Sequence, residues 1–202
     1  MEERVKRANL DVPFVKQSRD ATCVYASTAM VLQYYGLDVS EAALLDIAPV
    51  DFDRGGMTTG DFLRMFNRFE GKEKAGLRAT VYSRMTPADA KRMQGDFHTA
   101  VPMLPNVMET NGRVGLSLER FIDSGIPPLV TVENPEYRGR HTAVLTGYLR
   151  HESAFVPVVN DPGKRRPHMA DSTLLHNLGW QNMKRVIVIE KTKSNIRGRG
   201  TQ

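Results

Sequence analysis

The feature that most narrows the choice of folds is the order of two hydrophobic periods along the chain. A helical period comes first: Ala26, Ala29, Met30, Gln33 and Tyr34 recur at helical intervals, as do Phe62, Leu63, Phe66 and Phe69. Later, residues 129–133, 142–148, 155–159 and 185–190 form four short runs rich in valine, threonine and isoleucine, separated by turn residues. Helices segregated ahead of a sequential set of strands predict an α+β fold with an antiparallel sheet, not the regular alternation of a doubly wound fold.

Local punctuation divides the chain further. Residues 11–15 are partly apolar and interrupted by Pro13, which suits an edge strand or an extended lead-in. Asp20 offers a cap for a first helix, with Cys23 in its opening turn and Gly36 as its stop. Small residues at Ala26, Ser27 and Ala29 let another element pack close to that helix. Ser40 is placed to cap a second helix through about Ile47, and a third is capped near Thr59. Residues 77–82 alternate like a strand, Thr86-Pro87 opens a further helix ending at Gly95, and residues 96–114 have no stable period. Ser117 is the expected cap of a helix through Ser124, ended by Gly125. The expected organisation is a single domain over residues 11–192 with an insertion around 83–115. An N-terminal extension, residues 1–10, precedes it and a disordered basic tail, residues 193–202, follows.

The chain has 202 residues, 41% hydrophobic, so a sizeable core can form. With one cysteine no internal disulfide is available; packing must hold the fold, and a reducing compartment is the simplest expectation. The N-terminus is charged, and no apolar window has the length of a signal peptide or a membrane span. A soluble cytoplasmic protein is expected, with signal-independent export also compatible. The formal net charge of +5 invites a nucleic-acid reading, yet the charge sits at the edges: Arg4, Lys6 and Arg7, then Lys164, Arg165 and Arg166, then Lys191, Lys193, Arg197 and Arg199. No zinc-finger, RNA-recognition or helix-turn-helix pattern accompanies it, so a solvated basic rim is the better reading. No metal or cofactor is expected.

The chemistry centres on Cys23. A thiol at a helix N-terminus lies beside unpaired amide donors and the positive end of the dipole, both of which favour thiolate. Such a nucleophile needs a base, a group that orients the base, and donors for an oxyanion. Of five histidines, His141 alone opens a strongly apolar strand, after the polar turn of residues 137–140. The following strand ends in Asn160-Asp-Pro-Gly163, and an antiparallel hairpin brings Asp161 or Asn160 beside His141. That tetrapeptide is also strong turn chemistry on any account. Gln17 follows the extended lead-in and can aim an amide donor where the Cys23 backbone amide also points, making a two-donor oxyanion hole.

This ordered set resembles the papain-like cysteine peptidases, and most closely the bacteriocin-leader peptidases that cleave after double-glycine leaders. The residues that carry the resemblance are Val12-Pro-Phe-Val-Lys-Gln17, the segment from Cys23 to Tyr35-Gly36, Gly125-Ile-Pro-Pro-Leu-Val, His141-Thr-Ala-Val-Leu-Thr-Gly and Asn160-Asp-Pro162. They span about residues 11–165. The resemblance implies a papain-like fold, with a nucleophile helix in an N-terminal helical part packed on a C-terminal antiparallel sheet. It implies a cysteine peptidase acting on a protein or peptide through Cys23, His141 and Asp161, with Gln17 in the oxyanion hole. One departure stands out: the family usually has Gly directly after the cysteine, where this chain has Val24. No transporter follows the domain, so a stand-alone enzyme is expected. The same chemistry also serves acyl transfer, transglutamination and deamidation, and a non-catalytic module could keep the fold for binding alone.

Overall fold

In chain order the elements are β1 (Lys6–Asn9), α1 (Cys23–Tyr34), α2 (Glu41–Ile47), α3 (Thr59–Glu73), β2 (Leu77–Ser83), α4 (Val114–Asp123), β3 (Leu129–Asn134), β4 (Gly139–His151), β5 (Ala154–Asn160), β6 (His168–Met169) and β7 (Met183–Lys191). They come from a computed structural model that describes residues 6–49, 56–83, 114–134, 139–151, 154–165, 168–169 and 183–192. The helix expected from Thr86 to Gly95, most of the 83–115 insertion, the basic tail, His98 and His176 lie outside the described residues.

Among the described residues the strands form one sheet in the order β2-β7-β3-β4-β5-β6, and every pairing is antiparallel. β4 is long enough to pair with β3 along residues 139–144 and with β1 along residues 147–150. Lys6–Asn9 is thus a strand where an extension is expected, and it approaches very closely: a Cβ on Gly147 would lie 2.4 Å from the Ala8 carbonyl oxygen. Only glycine leaves room for that contact.

Alternation along the central strands buries both faces of the sheet. Ile187, Ile189, Leu129 and Val144 join the core beneath α1, α2 and α3, while Val186, Val188, Val130 and Val132 pack with Leu118 and Ile122 of α4. A three-layer arrangement results, with the sheet in the middle. Helix α1 is buried from Cys23 to Leu32, lying against β4 on one side and α2 on another. That explains its weak amphipathicity, since a helix covered all round needs no polar face. Helix α3 is amphipathic, burying Phe62, Leu63, Met65, Phe66 and Phe69. Each fully buried side chain of this size contributes on the order of 1.5–3 kcal/mol.

Two cap expectations change, and the one near Thr59 holds. Thr22, not Asp20, is the N-cap of α1, because Ala21 adopts a positive φ of 68° and turns the chain, leaving Asp20 exposed upstream of the helix start. Thr58, one residue before Thr59, caps α3 through a full capping box with Asp61. Helix α4 begins at Val114, so Ser117 lies inside it and the helix starts one turn further back than a serine cap suggests. Ser40 does cap α2, accepting from Ala43 N at 3.1 Å. Gly36 and Gly125 do follow α1 and α4 with positive φ, 86° and 73°.

Candidate active site

Cys23 is the first residue of α1, so its backbone amide has no intrahelical acceptor. The helix is docked on β4 near this end: Ser27 Oγ donates to the Thr142 carbonyl at 3.2 Å, both groups buried. His141 precedes Thr142, so docking the helix on β4 also delivers the imidazole. His141 and the Thr142 backbone lie close enough to the Cys23 thiol to favour its charged form. On the far side of the ring, His141 Nε2 lies 2.6 Å from Asp161 Oδ1, with both side chains almost fully buried. With Nε2 occupied, Nδ1 is the nitrogen available to the sulfur.

The β4–β5 hairpin supplies this meeting. Val144 pairs with Asn160, the last residue of β5, so the next residue, Asp161, lies beside the start of β4. The turn chemistry of residues 160–163 contributes directly, because Gly163 N donates to Asp161 Oδ1 at 2.8 Å and fixes the carboxylate. Asn160 is committed elsewhere: its Nδ2 donates to the Val12 carbonyl at 2.9 Å and ties the lead-in segment to the sheet. Of the two candidates for orienting the histidine, Asp161 is the one in contact.

Gln17 is held nearby by its backbone, whose amide donates to the Pro162 carbonyl at 3.0 Å. Its Nε2 donates to the Arg19 carbonyl at 3.1 Å, while its buried Oε1 has no partner among the described residues. The side chain is therefore not brought onto Cys23, although one of the two Nε2 hydrogens remains uncommitted. The 17–22 loop is pinned by Glu41, a buried residue in the first turn of α2, whose carboxylate accepts from Ser18 N at 3.0 and 3.2 Å.

The electrostatics favour a thiolate–imidazolium pair. Burial pushes the Cys23 thiol up, but the hydrogen bond and charge of His141, the Thr142 backbone and the charge of Arg185 outweigh it, leaving the thiol below its ordinary value. Burial pushes His141 down, and it is overcome by the hydrogen bonds and charges of Asp161 and Cys23, so that the imidazole is raised to about 9. Each partner stabilises the charged form of the other.

Beside the sulfur lies a cavity of about 270 Å³ whose walls include Cys23, Val24, Thr58, Thr142, Arg140 and Arg185. Val24, where the family's glycine is usual, is a wall of this cavity and is packed into the core beneath it. Arg185 is absent from the sequence-based candidates. Nothing in the residues around 185 distinguishes it from a surface cation at a strand end; its register opposite Thr131 is what places it here. Among the described residues no group of histidine, cysteine and carboxylates could hold a metal ion.

Comparison with known proteins is consistent with this geometry. A sequence profile described as the Peptidase C39 like family matches residues 9–188. No curated protein matches. Among solved structures, a putative C39-like peptidase from Bacillus anthracis is similar at a TM-score of 0.57 and 15% identity, over 93% of this chain and 100% of that one. A double-glycine-motif protease from an AMS/PCAT transporter, in complex with its leader peptide, is similar at 0.51 and 18% identity, over 95% and 100%. The peptidase domain of Streptococcus ComA, a bifunctional ABC transporter of a quorum-sensing pathway, is similar at 0.52 and 15% identity, over 90% and 99%. At these identities the likeness establishes a shared fold, that of the papain-like C39 domains.

Proposed function

The chain belongs to the Peptidase C39 like family and is a cysteine peptidase, and from that premise we propose that Cys23, His141 and Asp161 are its catalytic triad, with Gln17 and the Cys23 amide as the oxyanion hole. The single observation that carries the assignment is the buried chain of contacts from Cys23 through His141 to Asp161, with 2.6 Å between imidazole and carboxylate.

In this reading the Cys23 thiolate attacks the scissile carbonyl carbon, and the carbonyl π electrons move onto oxygen. The Cys23 amide and Gln17 Nε2 receive that oxyanion, the glutamine amide turning from the Arg19 carbonyl to do so. The imidazolium of His141 protonates the leaving amine as the C–N bond breaks, giving a thioester. Neutral His141 then takes a proton from water, hydroxide attacks the thioester, and the thiolate leaves. Asp161 holds the ring in one tautomer and supports its charge throughout. The substrate is a protein or a peptide.

The test compares wild-type protein with Cys23→Ala on a total protein lysate, reading every new N-terminus. The expected result is a set of cleavages present with the wild type and absent with the variant. The same cleavages with both proteins would remove Cys23 from the chemistry. Intact targets altered by one small mass increment would replace hydrolysis with transfer or deamidation.

A further inference from the structure

The cavity beside Cys23 contains a cation whose charge favours the thiolate but whose hydrogen-bonding fork the triad does not engage. Arg185 of β7 is only 7% exposed, yet no carboxylate pairs with it among the described residues. Its guanidinium belongs to a row that crosses three strands: Arg185 Nε donates to Thr131 Oγ1 at 3.2 Å, and Thr131 Oγ1 lies 2.8 Å from Thr142 Oγ1. The register puts Arg185 opposite Thr131 and Thr131 opposite Thr142, so the row is built into the strand pairing. A further contact, from Nη1 to Thr59 Oγ1, is long at 3.5 Å. A guanidinium has five N–H donors, and these two bonds leave three uncommitted among the described residues, on a group that borders the cavity. Arg140, exposed at the rim, adds a second positive charge, and the first residues of α1 line the same space.

A buried cation without a carboxylate partner is costly unless something completes it. The closest carboxylate of α3, Asp61, is held by Thr58 and Arg64 instead. What the cavity lacks is an anion of modest size with two oxygens to match the guanidinium fork.

We propose that this cavity is an anion subsite, in which Arg185, assisted by Arg140, receives a carboxylate of the peptide substrate next to the bond that Cys23 attacks. The carboxylate comes from an acidic side chain or from a chain end, and the two share the chemistry that Arg185 recognises. The identity of the ligand as a substrate rests on the peptidase reading; the anion site itself does not. Arg185 is then a specificity residue, and substrates with a neutral group at that position are disfavoured because the guanidinium stays uncompensated.

Alkylation of Cys23 by iodoacetate and by iodoacetamide tests the site without reference to peptide cleavage. The two reagents differ in charge, and their rate ratio cancels the fraction of thiolate. The ratio of iodoacetate to iodoacetamide rates at Cys23 is expected to exceed that of free glutathione at least about tenfold, and to fall back in Arg185→Gln, since losing one ionic hydrogen-bonded contact is worth about that factor. A ratio equal to that of glutathione, or one unchanged in the variant, overturns the proposal. Should Arg185→Gln fail to fold, protection of the wild type decides. N-acetyl-aspartic α-amide or N-acetyl-alanine is expected to slow iodoacetamide alkylation at a concentration where N-acetyl-asparagine amide does not, and equal effects of all three overturn the anion site. Protection by the first alone assigns an acidic side chain, and by the second alone a chain end. An iodoacetamide rate no faster than that of glutathione would instead count against the nucleophile, whatever the ratio.

Discussion

His141 holds its proton beside the Asp161 carboxylate, which makes the charge on Asp161 testable at a single residue. A raised imidazole pKa means the ring keeps its proton further into the alkaline range. The rate of peptide cleavage is therefore expected to fall only as pH rises through about 9, where His141 loses the proton destined for the leaving amine. Asp161→Asn keeps an oxygen acceptor for the ring and for Gly163 N but removes the negative charge. Its alkaline limb is expected to move down by at least about one pH unit, read from kcat against pH; an unmoved limb would mean that the carboxylate does not act through charge. Among the candidate positions, Cys23 was visible from its helix start, His141 from the apolar strand behind it, and the Asn160-Asp161 pair from the hairpin that returns to it. The choice of Asp161 over Asn160 was not legible, because it depends on Asn160 facing the lead-in carbonyl of Val12.

At the scale of elements, the loop that carries Gln17 owes its path to the first turn of α2. Glu41 accepts the Ser18 amide, and Glu41→Ala would leave that donor without its partner, costing on the order of 1–3 kcal/mol locally. The expected outcome is a lower kcat with alkylation of Cys23 little changed, since in the proposed mechanism the loop holds the oxyanion donor and not the sulfur; equal losses in both would assign Glu41 to the stability of the whole helical layer. Strand β1 makes a second prediction. In Gly147→Ala the new methyl group meets the Ala8 carbonyl, and stability is expected to drop by about 1–3 kcal/mol. Hydrogen exchange should quicken at Lys6–Asn9; unaltered exchange and an unaltered urea midpoint would show that β1 contributes nothing. This strand was illegible in the sequence. Its residues are polar and basic, and what recruits them is the bare edge of β4 beyond β3, together with a glycine 138 positions away whose missing side chain makes the space. The starts of α1 and α4 were misjudged for a related reason: a cap is decided by backbone turns such as that at Ala21, and side-chain pattern does not report them.

The molecule as a whole is a device for bringing two independently built halves into register. The helical layer offers a sulfur at the open end of α1, the sheet offers an imidazole and a carboxylate at adjoining strand ends, and Ser27 on Thr142 is a buried link between them. The α+β class and this division of labour were legible because the two hydrophobic periods are segregated along the chain. The cavity was not, since Arg185, Thr131 and Thr142 are far apart in sequence and share only a strand register. Among the described residues no helix is long and apolar enough to cross a membrane.

The central claim is that docking α1 on β4 turns a buried thiol into a thiolate held by His141. Its most direct test is the rate of Cys23 alkylation by iodoacetamide as a function of pH, in the wild type and in His141→Ala. The wild-type rate should rise to half its plateau well below the ordinary thiol range, because the paired imidazolium, the Thr142 backbone and Arg185 together outweigh burial. In His141→Ala the midpoint should move up into or beyond that range, since burial then acts with less opposition. A wild-type midpoint in the range of a free thiol, unmoved by the substitution, would contradict the account.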